Sequence, residues 1–204
     1  MIFRKTNTYS IFKQCVPDYS WQSILDFGGN RGNLLDGEIN PKKYTCLDIS
    51  KDGLDALPDN VKRVHWNRHH SYYNPNGNPH EPFPKIKWHD IAFANSVFTH
   101  HILDEALYCI RHLAKYTNRI VFTYIDPNND IFLEKFREKY YDLSFEDGDV
   151  SYTRDEKGIL WSAFDTEHLK SHLNYHRINT GTTDWFNYMD IQVRPISSAG
   201  IVGY

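Results

Sequence analysis

The 204-residue chain is 40% hydrophobic and 24% charged, with 23 basic against 26 acidic residues and a formal net charge of −3. That composition fits a globular domain with one ordinary core, and the absence of a basic block argues against a long nucleic-acid partner. No run approaches the ~18 consecutive apolar residues of a membrane helix, and the leading MIFRKTNTYSIFKQ has no signal-peptide core, which points to a cytoplasmic protein that does not enter membranes.

In chain order, residues 8–16 place Tyr9, Phe12 and Val16 at helical spacing, and Pro17 ends that helix. SILDF (23–27) reads as a first strand, Gly28 to Gly32 as a tight loop, and Asn33 to Leu35 as the start of a helix. KYTCLDI (43–49) is a second strand, Ser50 caps the helix SKDGLDAL, and VKRVHW (61–66) is a third strand. Residues 67–87, rich in Asn, Pro, His and aromatics, have no period and read as a long loop. A strand follows at 89–98, then a helix at 102–114 with Leu103, Leu107, Ile110 and Ala114 on one face. RIVFTYI (119–125) is a fifth strand, and Phe132, Phe136 and Tyr140 repeat at helical spacing. Residues 144–163 suggest a hairpin or flap, DTEHLKSHL (165–173) a helix capped by Asp165 or Thr166, and TTDWF (182–186) with YMDIQVRPI (188–196) two closing strands. Strands alternating with helices indicate an α/β domain with a mainly parallel sheet. With no repeat or linker in the sequence, residues 1–204 read as one domain with a lid-like loop at 67–87 and a flap at 144–163.

In such a sheet, ligands bind beyond the carboxyl ends of the strands. The loop Gly28-Gly29-Asn30-Arg31-Gly32 lacks the Lys-Ser or Lys-Thr of a phosphate loop and the G-x-G-x-x-G spacing of a dinucleotide loop. Asp26, Gly28 and Gly32 instead form D-x-G-x-x-x-G. Here the sequence resembles the class I S-adenosylmethionine-dependent methyltransferases of small-molecule type, with Asn30 at the family's middle glycine. Asp48, about 20 residues past the loop, stands where a ribose-binding acid belongs, a position that dehydrogenases share. DIAFANSVFTHH (90–101) resembles the family's fourth motif, and the resemblance runs from roughly residue 20 to 196.

The resemblance implies a Rossmann-like methyltransferase fold: a mostly parallel seven-stranded sheet with an antiparallel last strand and helices on both faces. It implies S-adenosyl-L-methionine as cofactor, held by Asp26, Gly28, Gly29, Asn30, Gly32, Asp48, Ile49, Asn67, Asn95 and Ser96. The acceptor it implies is a small molecule methylated on oxygen or nitrogen, of the secondary-metabolite or saccharide kind. His100 and His101 follow the fourth strand and are the candidates for a catalytic base. His69, His70, His80 and His89 lie in or beside the long loop without metal-ligand spacing, so no metal is expected. Tyr72, Tyr73 and Phe83 either cover an apolar substrate or cover the sheet edge. Asp126-Pro127-Asn128-Asn129 has part of the D-P-P-Y phrase of amino-group DNA methyltransferases, but stands after the fifth strand and reads as a turn. The three cysteines share no metal or redox spacing and read as free thiols. A non-catalytic binding module on the same fold, an RNA or protein methyltransferase, and a nicotinamide oxidoreductase remain as alternatives, and the oligomeric state stays open.

Overall fold

The computed structural model describes residues 8–128, 148–183 and 186–194. Seven strands form one sheet in the order β3-β2-β1-β4-β5-β9-β8. They are β1 (Ile24–Phe27), β2 (Tyr44–Asp48), β3 (Lys62–His65), β4 (His89–Ala94), β5 (Thr117–Tyr124), β8 (Arg177–Thr182) and β9 (Asn187–Gln192). β1 to β5 are parallel, and β9 runs antiparallel to both β5 and β8. This is the mostly parallel sheet with one antiparallel strand that the sequence suggests. A separate hairpin pairs β6 (Val150–Arg154) with β7 (Leu160–Phe164).

The central strands are apolar because both faces are covered. Every residue of β1 and β2 is buried. Alternation divides their side chains between two cores. Leu25, Phe27 and Leu47 join Leu107, Ile110 and Leu113 of α3 (Leu103–Leu113) and Leu169 of α4 (Thr166–Ser171). Ile24, Tyr44 and Cys46 join Ile11 and Phe12 of α1 (Thr8–Cys15) and Leu54 of α2 (Lys51–Asp55). The pairing Ile24↔Tyr44 and Asp26↔Cys46 therefore carries Asp26 and Asp48 toward the α1 side of the sheet.

Both expected caps form: Ser50 Oγ accepts from Gly53 N at 3.2 Å, and an Asp165 carboxylate oxygen accepts from His168 N at 2.7 Å. Four expectations need correction. After the glycine loop the chain makes only a 3-10 turn, Asn33–Asp36. Gly37 ends it under the Tyr9 ring, which a Cβ there would approach to 2.1 Å, and Pro41 opens another short turn. The strand expected over 89–98 ends at Ala94. The apolar stripe of α3 is rotated: Ala106, Leu107, Cys109, Ile110 and Leu113 are buried, whereas Leu103 is only half-buried. The first closing strand is RINTGT rather than TTDWF. That strand ends at Thr182, Thr183 N donates to Phe186 O at 2.7 Å, and the strand is a polar edge whose residues carry no apolar alternation. The helix expected around Phe132, Phe136 and Tyr140 lies outside the described residues.

Candidate functional site

Between β1 and β4 the strand order reverses, and a crevice opens beyond the carboxyl ends of the strands at such a point. A cavity of about 300 Å³ lies there. Of the residues expected at the site, all but Gly32 and Asn67 line it. Gly32 lies beneath the loop, where a Cβ would meet Leu57 at 2.5 Å. Asn67 turns into its own loop: its side-chain oxygen accepts from Asn74 Nδ2 at 3.3 Å and its carbonyl from Asn78 N at 2.8 Å.

The floor is backbone. Gly28 and Asn30 have φ of 72° and 49°. Asn is among the few non-glycine residues that visit this left-handed region routinely, so Asn30 follows the path a glycine would take. Its backbone N–H donates to Asp48 Oδ2 at 2.7 Å, and Ser50 N donates to Asp48 Oδ1 at 2.6 Å. Gly29 has no room for a side chain, since a Cβ would stand 2.5 Å from Asp26 Oδ2 and 2.8 Å from Cys46 Sγ. At Gly28 a Cβ would stand 2.4 Å from Val97 Cγ2, which locks the loop after β1 against the turn after β4.

Two carboxyls sit under this floor. Asp26 accepts a hydrogen bond from the Tyr44 hydroxyl, yet its pKa is pushed up to about 7. Burial is the main cause, the Tyr44 bond opposes it, and the Asp48 charge adds to it. Burial also raises Asp48, against the pull of N–H donors from Ser50, Asn30 and Ile49. The turn after β4 is held from β5. Ser96 has φ 56°, its N–H donates to Thr123 Oγ1 at 2.7 Å, and its carbonyl accepts from Thr99 Oγ1 at 2.9 Å. A non-glycine residue in this region costs on the order of 1–3 kcal/mol and persists where its surroundings over-determine it. Thr123 Oγ1 in turn donates to Asn95 Oδ1 at 3.2 Å, which fixes that side chain at the cavity.

The wall is aromatic and comes from distant segments. Trp66 and Phe83 anchor the loop after β3: both are buried, 5.1 Å apart between ring centroids, and Phe83 stacks near Tyr116. Phe83 thus joins the core between Phe27 of β1 and His112 of α3, whereas Tyr73 lines the cavity and Tyr72 is exposed. His100 Nδ1–H donates to Leu160 O of the hairpin at 2.8 Å, and its ring meets Trp161 edge-on at 4.6 Å. His101 Nδ1–H donates to Val97 O at 2.8 Å. Burial pushes both imidazoles below their usual pKa. His89 lies elsewhere, buried between Thr45 Oγ1 and Lys87 O. Asp126 Oδ1 accepts from Asn128 N at 2.9 Å, the turn expected there.

Sequence reasoning missed Thr8, Phe27, Asn33, Leu47, Ser50, Trp66, His70 and Val97 as lining residues. Ser50, two residues past Asp48, and Val97, beside Ser96 in the 90–101 motif, had a local signal; His70, Trp66 and Thr8 reach the cavity through folding that no short motif announces. Among the described residues, no group of three or more His, Cys, Asp or Glu is placed to hold a metal ion, and no helix is long and apolar enough to cross a membrane.

No protein-family model and no curated protein sequence matches the chain. Solved structures do match in fold. The chain is similar to the N-terminal domain of EvdMO1, solved in the presence of S-adenosylhomocysteine and D-fucose, at TM-score 0.55 and 14% identity, covering 91% of this chain and 81% of that one. A methyltransferase dependent on S-adenosylmethionine from Methanosarcina mazei aligns at TM-score 0.54 and 15% identity, over 91% of this chain and 97% of that one. The 1,6-didemethyltoxoflavin-N1-methyltransferase of Burkholderia thailandensis, with its substrate and S-adenosylhomocysteine bound, aligns at 0.50 and 13%, over 90% and 74%. The chain therefore has the Rossmann-like fold of the class I methyltransferases.

Proposed function

We propose that this chain is an S-adenosylmethionine-dependent methyltransferase acting on a small-molecule acceptor through oxygen or nitrogen, and that residues 1–204 form one such domain. One observation carries the reading: at the switch point of the sheet, a backbone floor with no room for a Cβ at Gly29 lies directly over Asp26, beside a buried Asp48. That arrangement fits a flat, hydroxyl-bearing, positively charged ligand. The loop backbone from Gly28 to Asn30 supports the amino-acid arm, Asp48 accepts from the ribose hydroxyls, and Ile49 offers an apolar contact. Asp26 supplies negative charge from below, while Asn95 and Ser96 close the far side. Asn30 keeps the left-handed path, so replacing the middle glycine leaves the floor intact.

When bound, the cofactor supplies an electrophilic methyl group: the acceptor's lone pair forms the new bond, sulfur keeps the electrons of the broken S–CH3 bond, and the acceptor loses a proton. The protein's task is orientation and exclusion of water. His100 is the residue we assign to the proton. Its Nδ1–H is committed to Leu160 O, which leaves the Nε2 lone pair as the basic atom, and its lowered pKa keeps it unprotonated at neutral pH. His101, with the same tautomer, is the second candidate. The loop at 67–87 and the hairpin of β6 and β7 form the acceptor side.

Incubating the protein with methyl-labelled S-adenosylmethionine and a panel of small hydroxyl and amino compounds tests this. Acceptor-dependent formation of S-adenosylhomocysteine supports the reading. Cofactor binding without transfer to any acceptor would favour a non-catalytic module on the same fold.

A further inference from the structure

Three imidazoles, His70, His100 and His101, line one side of the cavity, and backbone groups fix the tautomer of each. A carbonyl can only accept, so His100 and His101 carry their protons on Nδ1, facing Leu160 O and Val97 O. His70 is the reverse. Its Nδ1 lies 3.2 Å from both Tyr72 N and Tyr73 N, and two N–H donors require a bare nitrogen lone pair. The neutral ring then carries its proton on Nε2. Among the described residues, no hydrogen bond engages the Nε2 of any of the three, and the buried side-chain polar atoms without a partner are Gln22 Oε1 and Ser162 Oγ. The Nε2 atoms therefore open onto accessible space rather than being sealed in the core.

The charges around them point the same way. Among the described residues, the formally charged side chains lining the cavity are Asp26 and Asp48, with no Lys or Arg. Burial, then the neighbouring His101 and His100, push His70 down to about 4, so it is neutral at pH 7. Arg68 acts on His101 in the same direction, while Glu105 near His101 and Asp155 near His100 oppose it. With all three imidazoles below their ordinary pKa, this side of the cavity offers an anionic acceptor no imidazolium.

Resting on the methyltransferase reading above, we propose that the acceptor is an uncharged hydroxyl compound, held between a hydrogen-bond donor at His70 Nε2 and an acceptor at His100 Nε2, with His70 as a specificity-determining residue. A hydroxyl group both accepts and donates, so it satisfies both imidazoles at once. A carboxylate or phosphate only accepts, and it leaves the His100 lone pair facing negative charge. On transfer, the hydroxyl oxygen forms the O–CH3 bond and its proton passes to His100 Nε2. His70 keeps its proton throughout and acts by position.

The experiment uses the full chain, labelled with nitrogen-15 and saturated with S-adenosylhomocysteine. Long-range proton–nitrogen spectra at pH 7.5 read the tautomers, and phenol and benzoate are then titrated as probes. The expected result is Nε2–H on His70, Nδ1–H on His100 and His101, and phenol bound about tenfold more tightly than benzoate, the factor one hydrogen bond supplies. His70→Phe should abolish that preference and His70→Gln, whose amide still donates, should restore much of it, both variants retaining S-adenosylhomocysteine binding. A protonated Nδ1 or a cationic ring at His70, benzoate bound as well as phenol, or no phenol binding would each overturn the proposal. If S-adenosylhomocysteine itself fails to bind, the methyltransferase reading falls, and the tautomers are still read in the free protein.

Discussion

The floor and the wall of the cavity are built by opposite strategies. The floor is short-range in sequence: Asn30 and Asp48 are joined across 18 residues, Asp48 and Ser50 across two, and backbone does most of the work. The wall is long-range: His100 is oriented by Leu160, 60 residues away, and its chemistry resides in side chains. A backbone floor tolerates few substitutions because it has no free volume. A side-chain wall can change residue by residue while the sheet stays as it is. On the proposed function, cofactor recognition belongs to the first and acceptor choice to the second, which the two regions should reveal when perturbed.

The largest effect should come from the wall, in rate alone. His100→Gln removes the basic nitrogen, and the loss of a general base lowers turnover by ~100-fold or more. S-adenosylhomocysteine affinity, read by calorimetry, should be unchanged. A matching loss of affinity would show that floor and wall are not separate.

Next is Gly28→Ala, a floor change that acts on the fold. The backbone at φ 72° disfavours any Cβ, and this one would stand 2.4 Å from a branched Val97. The left-handed penalty and overpacking together should cost about 3 kcal/mol, measured by urea unfolding.

Asp48→Ala strips the partner from Asn30 N and Ser50 N and from a bound ribose. It should weaken S-adenosylhomocysteine binding by about 1–3 kcal/mol, with the remaining activity keeping its acceptor preference.

A smaller effect separates the regions by pH. Burial pushes the Asp26 carboxyl from its ordinary 3.8 up to about 7 in the folded protein. Between those values the folded chain holds a proton that the unfolded chain has released. Its contribution to stability is therefore full below about pH 4 and is lost as pH rises through 7. His70 has the opposite sign: with its pKa lowered from 6.5 to about 4, its contribution is present above 6.5 and lost as pH falls toward 4. Melting temperatures from pH 4 to 8 should show Asp26→Asn removing a downward slope and His70→Phe removing an upward one.

The two strategies also explain what could be read in advance. Asp26, Gly28 and Asp48 were legible because a strand end, a turn requiring positive φ and a second strand end each leave a local mark. The mainly parallel sheet followed from alternating strands and helices, whereas the order of its strands left no local mark. Illegible were features that depend on meeting partners. The helix expected after Gly32 shrank to one 3-10 turn where Tyr9 packs on Gly37. Asn67, next to the third strand, was drawn into its own loop by Asn74 and Asn78. His70 looked like one more histidine in a polar loop until two backbone N–H groups fixed its tautomer.

The most direct measurement is calorimetric titration of the purified protein with S-adenosylhomocysteine and, separately, with NADH, on wild type and Asp48→Ala. The account predicts S-adenosylhomocysteine binding that weakens by about 1–3 kcal/mol in the variant, and no binding of NADH. Binding of NADH in its place, or of neither ligand, would contradict it.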